Sequence, residues 1–262
     1  MLKKDISSRT NDGESCNGLK VEYFNMAESM ITDLKQMPGK LKSALLSRLH
    51  RRSYALDKLD LKLNSYLNFK HGFFVEVGAN DGISQSNTLY FERYKGWSGL
   101  LIEAIPVLYE KCRQNRPRCI AVNCALVASD YLEKTIEMHY CNLMSIVKDG
   151  LNSAEAEEKH IQSGIKFLAK DDETYVVNVP AKTLSEVLNQ YRIGHVDLLS
   201  LDVEGYEAQV LKGIEFDRHR IEFMLVEVRH REDIEAAIGH LYKPIAILSI
   251  NESYSDILYR RR

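Results

Sequence analysis

The sequence predicts an α/β fold: a mostly parallel central sheet with helices on both faces, preceded by a helical N-terminal extension. Three observations predict it. Phe73-Phe74-Val75-Glu76-Val77 runs straight into Gly78-Ala79-Asn80-Asp81-Gly82, the pattern of a buried parallel strand closing on a tight loop. Similar apolar runs recur at 99–102, 119–123, 196–201 and 223–228, with helix-type stretches between them. The 262 residues are also enough to bury one large core.

The N-terminal residues 1–20 are polar, lack a signal-peptide core and read as a flexible tail. Residues 21–70 read as the helical extension, because Leu45, Leu49, Leu56, Leu59, Leu63 and Tyr66 recur at spacings of three, four or seven. Between Lys35 and Leu56 there is no acidic residue, while Lys35, Lys40, Lys42, Arg48, Arg51 and Arg52 are cationic. Such a run suits either a solvated helix face or contact with an anionic surface. The main domain is expected over 71–262, with an irregular insertion or lid at 142–174. Within that insertion, 152–164 is polar and fits an exposed helix as well as a cover over a site.

Each core element has a reason. Ser86-Asn87-Thr88 supplies N-capping residues for a helix after the first strand, and Gly96 supplies its stop. Gly99-Leu100-Leu101-Ile102-Glu103 is the second strand, and Pro106 suits the first turn of a helix running to about Asn115. Cys119 to Asn123 is the third strand. Thr135 to Tyr140 and Tyr175 to Val179 alternate as half-buried strands. Val196 to Leu201 and Phe223 to Val228 complete the core. A short helix near Ile234–Ile238 and strands near Ile245–Ile250 and Ile257–Tyr259 close one edge.

Composition excludes several classes. A net charge of -2 gives no global attraction for nucleic acid. Five cysteines with no C-x-x-C pair suit a reducing, cytoplasmic setting better than a disulfide framework or zinc site. No apolar stretch approaches the roughly 20 residues that span a bilayer. The glycine spacing departs from G-x-G-x-x-G, which argues against a nicotinamide or flavin enzyme.

Ligands of open α/β sheets bind beyond the carboxyl ends of the strands. Glu103 stands there, about 20 residues past the glycine loop, where an acid accepts ribose hydroxyls. Asp202 and Glu227 close two further strands, with Glu204 and His230 just after them. Acids converging on one rim repel unless they share a proton, bind a cation or meet a cationic ligand. Asp202, Glu227 and His230 therefore make a candidate Mg2+ or Mn2+ set, and His230 is alternatively a base.

Glu-Val-Gly-Ala-Asn-Asp-Gly (76–82), Ser-Asn-Thr (86–88), Gly-Trp-Ser-Gly-Leu-Leu-Ile-Glu-Ala (96–104) and Leu-Asp-Val-Glu-Gly-Tyr-Glu (201–207) resemble the FkbM methyltransferases. The resemblance runs from about Leu56 to the C-terminus. It implies a Rossmann-like class I methyltransferase fold and S-adenosyl-L-methionine as cofactor. The implied acceptor is a carbohydrate hydroxyl, of a polysaccharide, a glycolipid or a nucleotide sugar. The implied cofactor set is Glu76, Gly78, Ala79, Asn80, Gly82, Ser86, Asn87, Glu103, Ala104, Asn123, Ala125 and Asp202. The loop 78–82 would follow the methionine part, Glu103 the ribose, and Asn123 and Ala125 the adenine. Asp202, Glu204 and His230 are the candidate catalytic residues. A non-catalytic methyltransferase-fold partner in a glycan-biosynthesis assembly is the alternative. A base-modifying enzyme is disfavoured, since Asp-Val-Glu-Gly replaces the proline-aromatic loop that grips a flipped base. Nucleic acid is not expected as a partner; peripheral membrane contact and an oligomer stay open.

Overall fold

Apolar β-favouring runs become the buried middle of one twisted sheet. In the computed structural model, which describes residues 37–38, 52–151 and 153–262, Ser53–Arg262 form one compact unit. The predicted tail, the earlier part of the helical extension and the basic run up to Arg51 lie outside the described residues, Met37 and Pro38 apart.

The first strand, β1 (Phe73–Val77), pairs in parallel with β2 (Ser98–Glu103), and β2 pairs with β3 (Ile120–Asn123). Crossover helices α2 (Leu89–Lys95) and α3 (Pro106–Asn115) connect them. A short α1 (Leu59–Leu63) precedes β1. On the other side of β1 lie β8 (His195–Leu201) and β9 (Arg220–Val228), both parallel to it. The hairpin β10 (Tyr242–Ile250) and β11 (Ser255–Arg261) closes the edge, with β11 inserted antiparallel against β9. The order is β10-β11-β9-β8-β1-β2-β3. The chain reverses direction across the sheet at β1, where β2 lies on one side and β8 on the other. That switch point is where an open α/β sheet binds its ligand.

Two apolar layers hold this sheet. Val75, Leu100, Leu199 and Val226 face helices α5 (Leu184–Gln190), α6 (Glu207–Lys212) and α7 (Arg231–Ile238). Phe74, Leu101 and Leu198 face the opposite side, where Leu59, Leu63, Leu67, Phe91 and Trp97 cover them. The sequence periodicity before β1 is thus split: Leu59 and Leu63 are buried, while Leu56 and Tyr66 stay exposed. Asp60 stabilises this segment by accepting from Tyr54 N–H and the Ser53 hydroxyl.

A smaller sheet forms a second tier in the order β4-β7-β5-β6. Its strands are β4 (Ala125–Leu126), β5 (Thr135–Tyr140), β6 (Ile146–Val147) and β7 (Tyr175–Lys182). Between β6 and β7 runs α4 (Ala154–Gly164), started by Ser153, whose hydroxyl accepts from Ala156 N–H. From this charge-rich segment Ala156, Lys159, His160 and Ser163 line a cavity at the carboxyl ends of the strands. The helix is exposed over much of its polar surface, while Glu157, His160 and Gly164 are buried.

Candidate active site

The cavity encloses about 1110 Å3 over the carboxyl ends of β1, β2 and β8. Its floor comes from the glycine loop, the strand ends and the loop after β8; its roof comes from α4, residues 142–145 and the hairpin tip at 252–254.

At one end stands Glu103. It is buried, and it accepts from Asn80 N–H at 2.7 Å and Ile105 N–H at 2.8 Å. Burial pushes its carboxyl up to about 7, although these backbone donors favour the charged form. The glycine loop is therefore tied to the end of β2 by the acid expected at the ribose. Asn123 lies one step behind the lining, where its side chain donates to the carbonyls of Glu103 and Ala104. Ala104 and Ala125 line the cavity.

The glycines of the loop after β1 are explained by close approaches within the protein. At Gly78, which has φ +80°, an added Cβ would stand 2.0 Å from the Asp202 carbonyl oxygen. At Gly82 it would meet the Arg116 side chain at 2.8 Å. Both glycines permit protein-to-protein approach, and Gly82 is absent from the cavity wall.

The start of α2 is likewise occupied by the protein itself. Glu76 accepts from the Ser86 and Thr88 hydroxyls and from Asn87 N–H, and the Ser86 oxygen accepts from Leu89 N–H. A buried carboxylate thus occupies that helix end, where the helix dipole favours negative charge. Below it, Arg116 is bonded to Glu92, the Gly82 carbonyl, Ser86 and Thr88. Asn87 keeps something for a ligand. It lines the cavity, its amide donates to Ser200, and its Oδ1 is buried without a hydrogen-bond partner.

At the other end four carboxyl groups surround one guanidinium. Arg229 lies 2.5 Å from Glu204 and 2.8 Å from Glu227, and the charges of Glu207 and Asp202 also act on it. Glu227 Oε1 is near Arg229 but makes no directed hydrogen bond, and Arg229 Nε has none either. Glu207 holds the loop by accepting from Val203 and Gly205 N–H groups, both at 3.0 Å, and burial pushes its carboxyl up to about 7. Burial, followed by the neighbouring acids, raises Asp202, Glu204 and Glu227 as well, with Arg229 opposing. Asp202 is exposed and lines the cavity, so its surroundings change with whatever fills that space.

The predicted metal set changes membership. Ligand atoms of Asp202, Glu207 and Glu227 come within 4.8 Å of one another, and His230 is not part of the group. Arg229 already supplies positive charge among these acids, so a divalent ion would compete with a guanidinium for its ligands. The donor set fits such an ion poorly. His230, at the start of α7, lines the cavity instead.

Sequence reasoning missed three contributors. Arg229 was legible only as part of a basic triplet after β9. Tyr254 comes from the hairpin tip, and Arg229 stacks over its ring at 5.5 Å. His160 comes from α4, where its buried ring lies 3.6 Å from Glu204.

The family model for the FkbM methyltransferase domain matches residues 76–256. Methyltransferase sdnD of Sordaria araneosa is 31% identical over 163 residues, covering 55% of this chain; the chain spans 60% of that relative's length. Among solved structures, methyltransferase FkbM from Methylobacillus flagellatus KT is similar at 13% identity with a TM-score of 0.42, covering 72% of this chain and 43% of that one. A ribosomal protein L11 methylase from Lactobacillus delbrueckii subsp. bulgaricus is similar at 8% identity with a TM-score of 0.41, covering 78% of each chain. The chain belongs to the FkbM methyltransferase-domain family.

Proposed function

We propose that this chain is an S-adenosyl-L-methionine-dependent O-methyltransferase acting on a sugar hydroxyl of a polysaccharide, a glycolipid or a nucleotide-sugar precursor. The observation that carries the reading is the cavity's polarity: a ribose-type acid at one end, and at the other four carboxyl groups balanced by one arginine. When bound there, the cofactor supplies a cationic sulfonium and an electrophilic methyl group. An over-acidic floor favours such a cation over its neutral thioether product.

The chain's own residues fit the rest of the molecule. Glu103 has lone pairs left for two ribose hydroxyls beyond the backbone bonds it accepts. Asn87 Oδ1 is a buried acceptor suited to an ammonium. Gly78, Ala79 and Asn80 present backbone beside the methionine part, and Asp202 and Glu204 face the reacting end. The cavity volume of about 1110 Å3 lies just above the roughly 300–1,000 Å3 range of ligand pockets, which leaves room for an acceptor beside the cofactor. The sugar acceptor rests on the family resemblance, and no step is assigned to Mg2+ or Mn2+.

Calorimetric titration with S-adenosylmethionine and S-adenosylhomocysteine tests the cofactor. Transfer of labelled methyl to nucleotide sugars and lipid-linked glycans tests the acceptor. Binding of neither cofactor form would refute the reading and favour the non-catalytic partner. Undiminished activity after exhaustive chelation is expected.

A further inference from the structure

We propose that His160, carried by the covering helix α4, is the residue that takes the acceptor's proton, with Glu204 positioned to stabilise the imidazolium that results. This deepens the methyltransferase reading and rests on it. His160 Nε2 lies 3.1 Å from the Met144 carbonyl oxygen. A carbonyl only accepts, so Nε2 carries the proton and Nδ1 carries the lone pair. Nδ1 is not among the buried, unpartnered atoms of the described residues and has no hydrogen-bond partner there. It is therefore open, on a residue that lines the cavity. Glu204 Oε2 lies 3.6 Å from Nε2 and is held by Arg229 at 2.5 Å. Glu204 itself has φ +57°, a left-handed backbone uncommon for a residue with a side chain. The chain His160–Glu204–Arg229 thus links roof to floor beside Asp202.

The ring's surroundings keep it neutral. Burial, then the Arg229 charge, lowers its pKa, and the Met144 carbonyl opposes. The charged groups around it are Glu204 from the loop after β8, Arg229 after β9, and Glu157 on its own helix; Glu157 is engaged with Asp149 N–H and lies 3.5 Å from His139. In the transfer, the acceptor oxygen bonds to the methyl carbon as the S–C bond breaks, and the electron pair stays on sulfur. The hydroxyl proton passes to His160 Nδ1, so one positive charge leaves the sulfonium and one appears on the imidazole. That exchange keeps the total charge of the site constant.

Long-range 1H–15N spectra of histidine-labelled protein test the assignment without an acceptor. His160 is expected as the neutral Nε2–H tautomer at pH 7; the Nδ1–H tautomer or an imidazolium at that pH would overturn the proposal. Glu204→Gln should shift the His160 titration to lower pH, since an amide cannot give up a proton to become the anion that pairs with the imidazolium. An unmoved titration would overturn Glu204's part. In labelled-methyl assays on a panel of UDP- and GDP-linked sugars, His160→Gln should cut turnover at least 100-fold, as expected for a lost general base. S-adenosylhomocysteine affinity should stay within about twofold, and added imidazole should restore part of the activity of His160→Ala. Full turnover by His160→Gln, or loss confined to His230→Gln, refutes the proposal. Wild-type protein that binds no S-adenosylhomocysteine refutes the methyltransferase reading instead, and the spectra then still report the tautomer.

Discussion

Two arginines sit among carboxylates in this molecule, and they are built to opposite ends. Arg116, 1% exposed in its side chain, directs hydrogen bonds to Glu92, Gly82, Ser86 and Thr88 and lies 3.8 Å from Glu76. Burial would raise Glu92, but the charge and hydrogen bonds of Arg116, with help from Cys119 and Arg118, hold its carboxyl below the usual range. Arg229 faces more acids than it can bond, keeps Nε unpartnered, and leaves those acids raised. A closed cluster with matched charge is a brace. An open cluster with surplus acid is a site that waits for a cation.

The sharpest break of this comparison is to remove each guanidinium. Arg116→Met strands two buried carboxylates and should cost about 3–5 kcal/mol, the usual range for breaking a buried pair. Urea unfolding would show it. Arg229→Met should cost far less, because the raised acids beside it can hold protons and the cavity admits water. Equal losses would erase the distinction between brace and site.

Next in size is Gly78. A valine there collides with the Asp202 carbonyl and takes a left-handed backbone, at a combined cost of about 2–4 kcal/mol. Unfolding midpoints and cofactor titrations should fall together. Loss of binding with unchanged stability would return Gly78 to a role in direct ligand contact.

These regions were unequally legible in the sequence. The apolar strands, α3 from Pro106 and the placement of Glu103 and Asp202 follow from local pattern, because a buried strand announces itself residue by residue. Glu103's second task, bonding Asn80 and Ile105, needs the loop's final shape. His160 was hidden because the helix that carries it has a polar composition, and only packing against Met144 and Glu204 reveals its inner face. Arg229 was hidden because charge balance among distant strand ends is a tertiary property. The glycine loop is legible as a tight turn after the first strand, but that the Asp202 carbonyl and Arg116 stand where its side chains would be is a tertiary property.

A smaller effect is expected at Glu103. Glu103→Gln should weaken cofactor binding by about 1.5–3 kcal/mol, the range for hydrogen bonds to a charged group. The same acid makes binding pH-dependent. Since its carboxyl is raised to about 7, acid solution protonates it and affinity should fall as pH drops through neutrality. Unchanged affinity between pH 6 and 8 would detach Glu103 from the ribose.

The finest test separates the open cluster's charge from its shape by comparing the cationic cofactor with its neutral product. Glu204 and Glu207 are raised toward and beyond neutrality, so they lose protons as pH rises, and the floor becomes more negative. The sign for folding follows: with folded-state pKa values above the unfolded carboxylate range, the native state holds more protons, so these acids cost stability as pH rises through about 5 to 8. The sign for the ligand is opposite. A sulfonium gains from each added negative charge, whereas a thioether does not. One extra charge at ~10 Å in an effective dielectric of ~20 is worth about 1.7 kcal/mol. The preference for S-adenosylmethionine over S-adenosylhomocysteine should therefore grow on the order of tenfold between pH 6 and 9, by parallel calorimetric titrations. Glu204→Gln should flatten that slope, and Glu92→Gln, in the closed cluster, should leave it intact in whatever fraction stays folded. A preference independent of pH in the wild type would mean that the surplus acids keep their protons throughout, and that the floor selects its ligand by fit alone.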